Sequence, residues 1–474
     1  MDESIKLKGS QDMHTGGLGI RHIITVCLCA CLTVNYIIRV NLGVAVVVMT
    51  DHNRNDSDPV FDWSPEQKGM LLSSFFAGYL ISNLVASVLV TKYSNAKLLF
   101  GSVCYSTVAS LLTPILVTHG GYTAMFMVRV SMGLVQGFMM PATQGLLSKW
   151  IPPNERSRCG SIVLGGLHIG TMVSFVSSGF LSSSSGGWPS VFYFSAALSG
   201  AWCIVWLRYG SDHPDRSKYV SKSERSYINK SLSDASQPET ATKVPIPWGK
   251  IFTNTPVYAL ALTMIGQNWG YWILITQIPS YFANVLNFDT TKNGTVSALP
   301  YVTLWLISFP VSFTADYLIT RGTLTISSAR KTFNTIGQWG AAAALLALAF
   351  TTSPTMAVVM YTIGVTMIAF TFVGFNINVL DLAPNYAGLL MGLTNGIANV
   401  TSIAGPAFVG FVVKPLDNIE GWKLVFIVAA AMLFVGNTIF VVFGSGEVQD
   451  FNSIQESSKN KEDIENPEIQ PLKS

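Results

Sequence analysis

Apolar runs of twenty or more residues alternate with short polar or Gly/Pro-marked interruptions along nearly the whole chain. At about 1.5 Å of rise per residue, a helix of roughly 20 apolar residues crosses the hydrocarbon core of a bilayer. The pattern predicts helices over 20–49, 68–91, 97–118, 121–149, 157–183 and 188–208. After a polar interval it predicts six more, over 256–283, 295–320, 330–352, 355–380, 386–413 and 420–444. This is an all-α membrane protein of twelve transmembrane helices in two six-helix bundles, 20–208 and 256–444. Residues 1–19 read as a cytoplasmic N-terminal segment with no short apolar core and cleavage site, so no cleaved signal peptide is expected. Residues 209–255 read as a cytoplasmic linker, and 445–474, rich in Ser, Asn, Glu and Lys, as a disordered cytoplasmic tail.

Composition sharpens this picture. Of 474 residues, 49% are hydrophobic and 12% charged, against roughly 25% charged in an average soluble domain. The net charge of +3 argues for no nucleic-acid partner. The placement of the charges says more. With both termini in the cytoplasm, only Arg54, Lys68, Lys292, Lys414 and Lys423 of the 29 Lys and Arg fall outside, while Arg39 and Arg129 fall within helices. Cytoplasmic loops carry the excess of Lys and Arg, so this orientation is preferred to its inverse. The sequon at Asn55 lies in the first external loop and is the predicted glycosylation site. A second, Asn293-Gly294-Thr295, is also external, whereas those at Asn229 and Asn399 fall in the linker and inside a helix. Cys27, Cys29, Cys31, Cys104, Cys159 and Cys203 lie in or beside apolar stretches without metal-ligand spacing, so they read as small hydrophobes and no metal site is expected. A faint repeat links Phe61-Asp62 through Lys68-Gly69 to Phe288-Asp289 through Asn293-Gly294, at matching places in the two halves. Parallel repeats of this kind occur in two-halved transporters with a binding site near the midplane.

A charge inside a bilayer is costly, and each one needs a reason. Arg39 sits mid-way along the first apolar stretch, too far from either end to snorkel easily. It reads as a fixed cation facing a cavity and binding a carboxylate or phosphate, with a structural pairing as the alternative. Arg129, in the fourth stretch, would add to a positive cavity, with a structural role nearer the external end as the equal alternative. His168 can titrate near neutral pH and is the candidate proton relay, against a purely structural role. Asp316 and Asp381 are expected to cap helices or pair with Arg321, Arg330 or Lys331. Gln136, Gln144, Asn268, Gln277, Asn376 and Asn378 place polar groups inside helices, to contact substrate or to join helices. Tyr79, Trp269, Tyr271 and Trp272 wall a cavity or belong to an interfacial belt. The turn from Trp150 to Ser157 reads as a structural lock between the fourth and fifth predicted helices and not as a substrate site. No phosphate-binding Walker loop is present, so ATP is not the expected driver and an ion gradient is.

The residues carry a resemblance. Arg39-Val-Asn41-Leu42, Phe61-Asp62-Trp63-Ser64 and Leu72-Ser73-Ser74-Phe75-Phe76-x-Gly78-Tyr79 resemble the anion:cation symporter family of the major facilitator superfamily. So do Arg129-x3-Gly133, Pro141-Ala142, Trp150-x-Pro152-Pro153-x-Glu155-Arg156-Ser157 and Gly187-Trp188-Pro189-Ser190-Val191-Phe192-Tyr193. In the second half the matching motifs are Asn268-Trp269, Gly374-Phe375-Asn376-x-Asn378-x-Leu380-Asp381-x-Ala383-Pro384 and Met391-Gly392-x3-Asn395-Gly396. That family holds sialin, the vesicular glutamate transporters and the type I sodium/phosphate cotransporters. The chain looks most like insect inorganic phosphate cotransporters over roughly residues 20–444.

The resemblance implies the major facilitator fold and alternating access. It makes Arg39 the arginine that contacts the anion and Arg129 the arginine of the fourth helix. The departures matter too. Where sialin and its relatives carry coupling glutamates this chain has Met132 and Gln136, and where they carry a histidine it has Gln144. Gln267 stands at the glutamate transporters' seventh-helix arginine, and Val379 at a common histidine. A glutamine takes up no proton near neutral pH. The expected function is therefore secondary transport of phosphate or a small organic anion, with Arg39, Arg129, Asn268, Tyr79, Asn376 and Asn378 as substrate-binding candidates. Sodium is the expected coupling ion, Gln136 marks a lost coupling position, and no resident cofactor is expected. Alternatives are a proton-coupled sialin-like carrier relying on His168 and a non-transporting membrane scaffold. An enzyme is not expected, because no nucleophile–base or metal constellation is present. A monomer in the plasma membrane or an endolysosomal membrane is expected.

Overall fold

The computed structural model describes residues 19–52, 59–235 and 246–452. Every regular element among them is helical, and no strand occurs. The first half holds α1 (Ile20–Val40), α2 (Leu42–Met49), α3 (Pro65–Lys92), α4 (Asn95–Gln136), α5 (Met139–Trp150), α6 (Pro153–Ser182) and α7 (Gly187–Tyr209). The segment between the halves contributes α8 (Lys222–Ala235) and the short α9 (Trp248–Ile251). Then follow α10 (Thr255–Asn284), α11 (Thr290–Thr320), α12 (Ile326–Phe350), α13 (Pro354–Thr371), α14 (Phe375–Leu382), α15 (Ala387–Val412) and α16 (Ile419–Phe443).

Starts and breaks follow local chemistry. Ser64 caps α3 by accepting from the Gln67 N–H, and the Gln67 side chain accepts from the Ser64 N–H in return. Ser94, Thr325 and Ser353 cap α4, α12 and α13 by accepting from the Lys97, Ser328 and Met356 N–H groups, without a returning side-chain bond. Gly121, with φ of 55°, turns the long α4 back on itself. The predicted stretches 97–118 and 121–149 therefore appear as one helix with a sharp internal bend, plus α5. Asn41 separates α1 from α2, so the first predicted helix is broken at that residue.

Eight helical stretches among the described residues are long and apolar enough to cross a membrane. One of them, Asn95–Trp150, contains the bend at Gly121 and makes two passes. With α3, α10 and α15, of 28, 30 and 26 residues and so also long enough to cross, the long helical segments among the described residues number twelve.

The chain divides into two compact units. The first comprises Met1–Gln237, Ile275–Val302 and Pro406–Ile419, and the second Pro238–Leu274, Thr303–Gly405 and Glu420–Ser474. Within the first unit, α3 meets the end of α15 at Gly69 and Gly410, and α6 meets the start of α11 at Gly179 and Gly294. A Cβ on any of these four glycines would press into the facing backbone. Gly69 and Gly294 are the two glycines of the faint sequence repeat, so the repeat corresponds to two backbone crossings. Glu66 forms an ion pair with Lys414 beside the Gly69 crossing. Asn293 is buried and donates to the Pro279 carbonyl, so its sequon is not presented to solvent. Asn55 lies outside the described residues.

In the second unit, Asn334 of α12 donates to Thr263 of α10 and to Asn437 of α16, and Gln338 donates to Thr263. This buried amide network ties three helices together. Asp381 pairs with Arg330 at 2.7 Å, one of the pairings the sequence suggests, and Asp316 is exposed. Residues 445–452 lie against the same unit. The Gln449 N–H donates to the Leu382 carbonyl, and Phe451 is buried beside Tyr386.

Candidate functional site

The break at Asn41 sits beside the first unit's most unusual feature, two guanidinium groups without acids. Arg39 is 8% exposed and Arg129 3%. The ion pairs among the described residues serve Arg21, Arg225, Arg330, Lys414, Lys423 and two histidines, and none involves Arg39 or Arg129. Burying an unpaired cation in a low-dielectric interior costs several kcal/mol, on the order of its lost hydration.

Aromatic rings supply part of the compensation. The Arg39 guanidinium carbon lies 4.7 Å from the Tyr36 ring centroid, 4.8 Å from that of Phe75 and 4.8 Å from that of Tyr79. Each desolvated cation–π contact contributes about 2 kcal/mol. The Arg129 guanidinium carbon lies 5.2 Å from the same Phe75 ring centroid. One fully buried phenyl ring therefore serves both cations.

Glycines put these groups in place. A Cβ on Gly78 of α3 would collide with the Val130 carbonyl, and one on Gly133 of α4 with the Phe75 carbonyl. The two helices are in backbone contact, which sets Phe75 and Tyr79 of α3 level with Arg129 of α4.

Arg129 itself faces backbone. Its Nη1 donates to the Ile38 carbonyl at 3.0 Å and its Nη2 to the Arg39 carbonyl at 2.7 Å. Among the described residues, the Nε atoms of Arg39 and Arg129 are buried without a hydrogen-bond partner. An acceptor placed against Arg39 would gain a charge-assisted hydrogen bond without having to displace a protein carboxylate.

The other sequence-derived candidates are spread out. Tyr79 joins the cage. Gln136 is fully buried on α4 and donates weakly to Ser106, 3.4 Å away. His168 is half-buried on α6. Asn268, Asn376 and Asn378 belong to the second unit. Asn378 donates to the Ser445 carbonyl and Asn376 to the Thr371 carbonyl, so both amides hold backbone, while Asn268 is half-buried on α10. Sequence reasoning missed Tyr36 and Phe75 as cage members. Their spacing from Arg39 and Tyr79, three and four residues, places each on the face of its neighbour and was the available signal.

A second ionic cluster lies where α1 begins. Arg21 bonds Glu155 at 2.8 Å and Glu224 of α8 at 3.2 Å, and the Glu224 carboxylate also accepts from the Ile20 and Arg21 N–H groups. Trp150 donates to the Ser211 carbonyl at 2.7 Å. The Trp150–Ser157 turn is thus tied to the start of α1 and to the segment after α7.

Comparison with known proteins places this architecture. The family description "Major Facilitator Superfamily" matches residues 28–406. A Drosophila ananassae protein named "Putative inorganic phosphate cotransporter" is 34% identical, with 90% of this chain and 92% of the relative covered. Vesicular glutamate transporter 1 of Bos taurus is 32% identical, with coverage of 94% and 80%. Among solved structures, a bacterial homologue of the lysosomal transporter Spinster, in an inward-facing and unoccupied conformation, superposes with a TM-score of 0.69 at 14% identity. That match covers 89% of this chain and 96% of the other.

Proposed function

The chain belongs to the Major Facilitator Superfamily, and on that premise we propose that this integral multi-pass membrane transporter carries inorganic phosphate or a small organic anion, bound at Arg39. The observation that carries the reading is the Arg39 guanidinium, buried, ringed by Tyr36, Phe75 and Tyr79, and without a carboxylate partner among the described residues. Such a cation is poised for an anion from outside the chain. The names of the relatives support the substrate class. The carrier works as a monomer by alternating access between two six-helix bundles, with both termini in the cytoplasm, at the plasma membrane or an endolysosomal membrane.

Sodium is the coupling ion of this proposal. Gln136 and Met132 offer no titratable group on α4. A proton-coupled organic-anion carrier is the second reading, favoured by the vesicular glutamate transporter relatives, and it would rely on His168.

Uptake into proteoliposomes tests this directly. Labelled phosphate and labelled small carboxylates are offered under an inward sodium gradient, a proton gradient, or neither. Accumulation of phosphate under sodium alone is the expected result. Accumulation of a carboxylate under a proton gradient alone would replace it with the second reading. No saturable uptake of any anion would overturn the assignment of an anion carrier.

A further inference from the structure

We infer that Arg129 is a positioning residue that caps a broken helix and thereby sets the place of the Arg39 guanidinium, and that it is not itself a ligand of the anion. The inference rests on the anion-carrier reading above and refines its site.

The break between α1 and α2 creates the need. The last carbonyls of a helix have no partner within it. In α1 these belong to Ile37, Ile38, Arg39 and Val40, all buried. A buried carbonyl without a donor is costly, and the cost rises inside a membrane where water is absent. Here three successive carbonyls are satisfied. The Ile37 oxygen accepts from the Asn41 N–H and from the Ser174 hydroxyl of α6 at 3.1 Å. The Ile38 and Arg39 oxygens accept from the two terminal nitrogens of Arg129.

The geometry has a consequence for Arg39. Its carbonyl is gripped at 2.7 Å by Arg129, while its own side chain is enclosed by three rings. The backbone grip fixes where the side chain departs, and the cage fixes where it ends. Phe75 touches both guanidinium groups, so a shift of Arg129 moves one wall of the cage as well as the backbone behind it. Two prongs on adjacent carbonyls need the planar fork of arginine. The ammonium of lysine is a point charge and cannot reproduce it.

A ligand role and a positioning role predict different kinetics. Purified wild-type and variant proteins are reconstituted at equal amounts, and initial uptake of labelled phosphate, lactate and succinate is measured. Arg129→Lys keeps the charge and loses the fork. It should raise KM about tenfold, the worth of a charge-assisted hydrogen bond, by the same factor for lactate and succinate, with a smaller change in maximal rate. Arg129→Gln should do no worse than Arg129→Lys for lactate. Ser174→Ala removes one neutral hydrogen bond from the same turn and should raise KM about two- to fivefold, again evenly across the anions.

A wild-type KM in Arg129→Lys would overturn the inference, as would a loss much steeper for succinate than for lactate, which marks a contact with the anion. Should Arg129→Lys not yield folded protein, an unchanged KM in Ser174→Ala overturns it. Absence of saturable uptake in the wild type overturns this inference together with the anion-carrier reading. A normal wild type with an unperturbed Arg129→Lys overturns this inference alone.

Discussion

The Nη2 of Arg129 donates to the main-chain carbonyl of Arg39 at 2.7 Å, so these two buried cations are linked through backbone and, among the described residues, share no acid. Their mutual repulsion is tolerated beside the Phe75 ring, which lies between 4.8 and 5.2 Å from the two guanidinium carbons. The first unit thus holds two positive charges beside the Asn41 break, Arg39 on α1 and Arg129 on α4, and the sign of that charge sets the class of solute that can be stabilised there.

Phe75 should be sensitive for two separable reasons. Phe75→Ala removes a fully buried ring and should destabilise the protein by about 3–5 kcal/mol while raising KM for the anion. Phe75→Leu keeps most of the volume and loses the π face. It should retain most of the thermal stability in detergent yet still bind the anion more weakly. Paired thermal-unfolding and uptake measurements check this. Phe75→Leu with a wild-type KM would remove the ring from the account of the site.

Gly133 and Gly78 form the closest approach of α3 and α4, and each faces the other helix's backbone. Gly133→Ala should force the helices apart, because the obstructing atom is the Phe75 carbonyl oxygen and cannot rotate away. The expected outcome is loss of transport with a lowered unfolding temperature. Gly101, with open space around it, is the control. Gly101→Ala should leave transport unchanged and should not lower the unfolding temperature, since helix propensity favours alanine there by about 1 kcal/mol.

The Glu155 turn makes a pH prediction. Glu155 lies just outside the spanning stretch Arg158–Ser182. Burial pushes its carboxyl up, but the hydrogen bonds and charge of Arg21 outweigh burial and hold it below the usual carboxylate range. A carboxyl depressed in the folded state adds stability above its unfolded pKa of roughly 4.3. That contribution fades as pH falls through the folded pKa. Glu155→Gln should therefore lower the unfolding temperature at neutral pH, and the variant and wild-type curves should converge on acidification. Parallel curves would show that Glu155 contributes nothing through its charge.

Much of this was legible in the sequence. Long apolar runs announced the helices, and a lone Arg39 within one announced a cation that needs a partner. The role of Arg129 was not legible, because a side chain bonded to another helix's carbonyl leaves no periodicity behind. Asn41 gave no warning of a break, since the flanking residues on both sides are apolar enough to continue a helix. Asn376 and Asn378 look like polar lining in a one-dimensional reading, yet both donate to main-chain carbonyls. The faint glycine repeat was informative in a way its weakness concealed, because Gly69 and Gly294 each mark a place where two backbones meet.

The most direct test is anion uptake by Arg39→Ala set against wild type, both purified and reconstituted at equal density. The account predicts that the variant folds with a near-normal unfolding temperature and takes up no phosphate or small carboxylate above the level of empty vesicles. Uptake at the wild-type rate and KM would contradict it, since the cation that defines the site would then be dispensable.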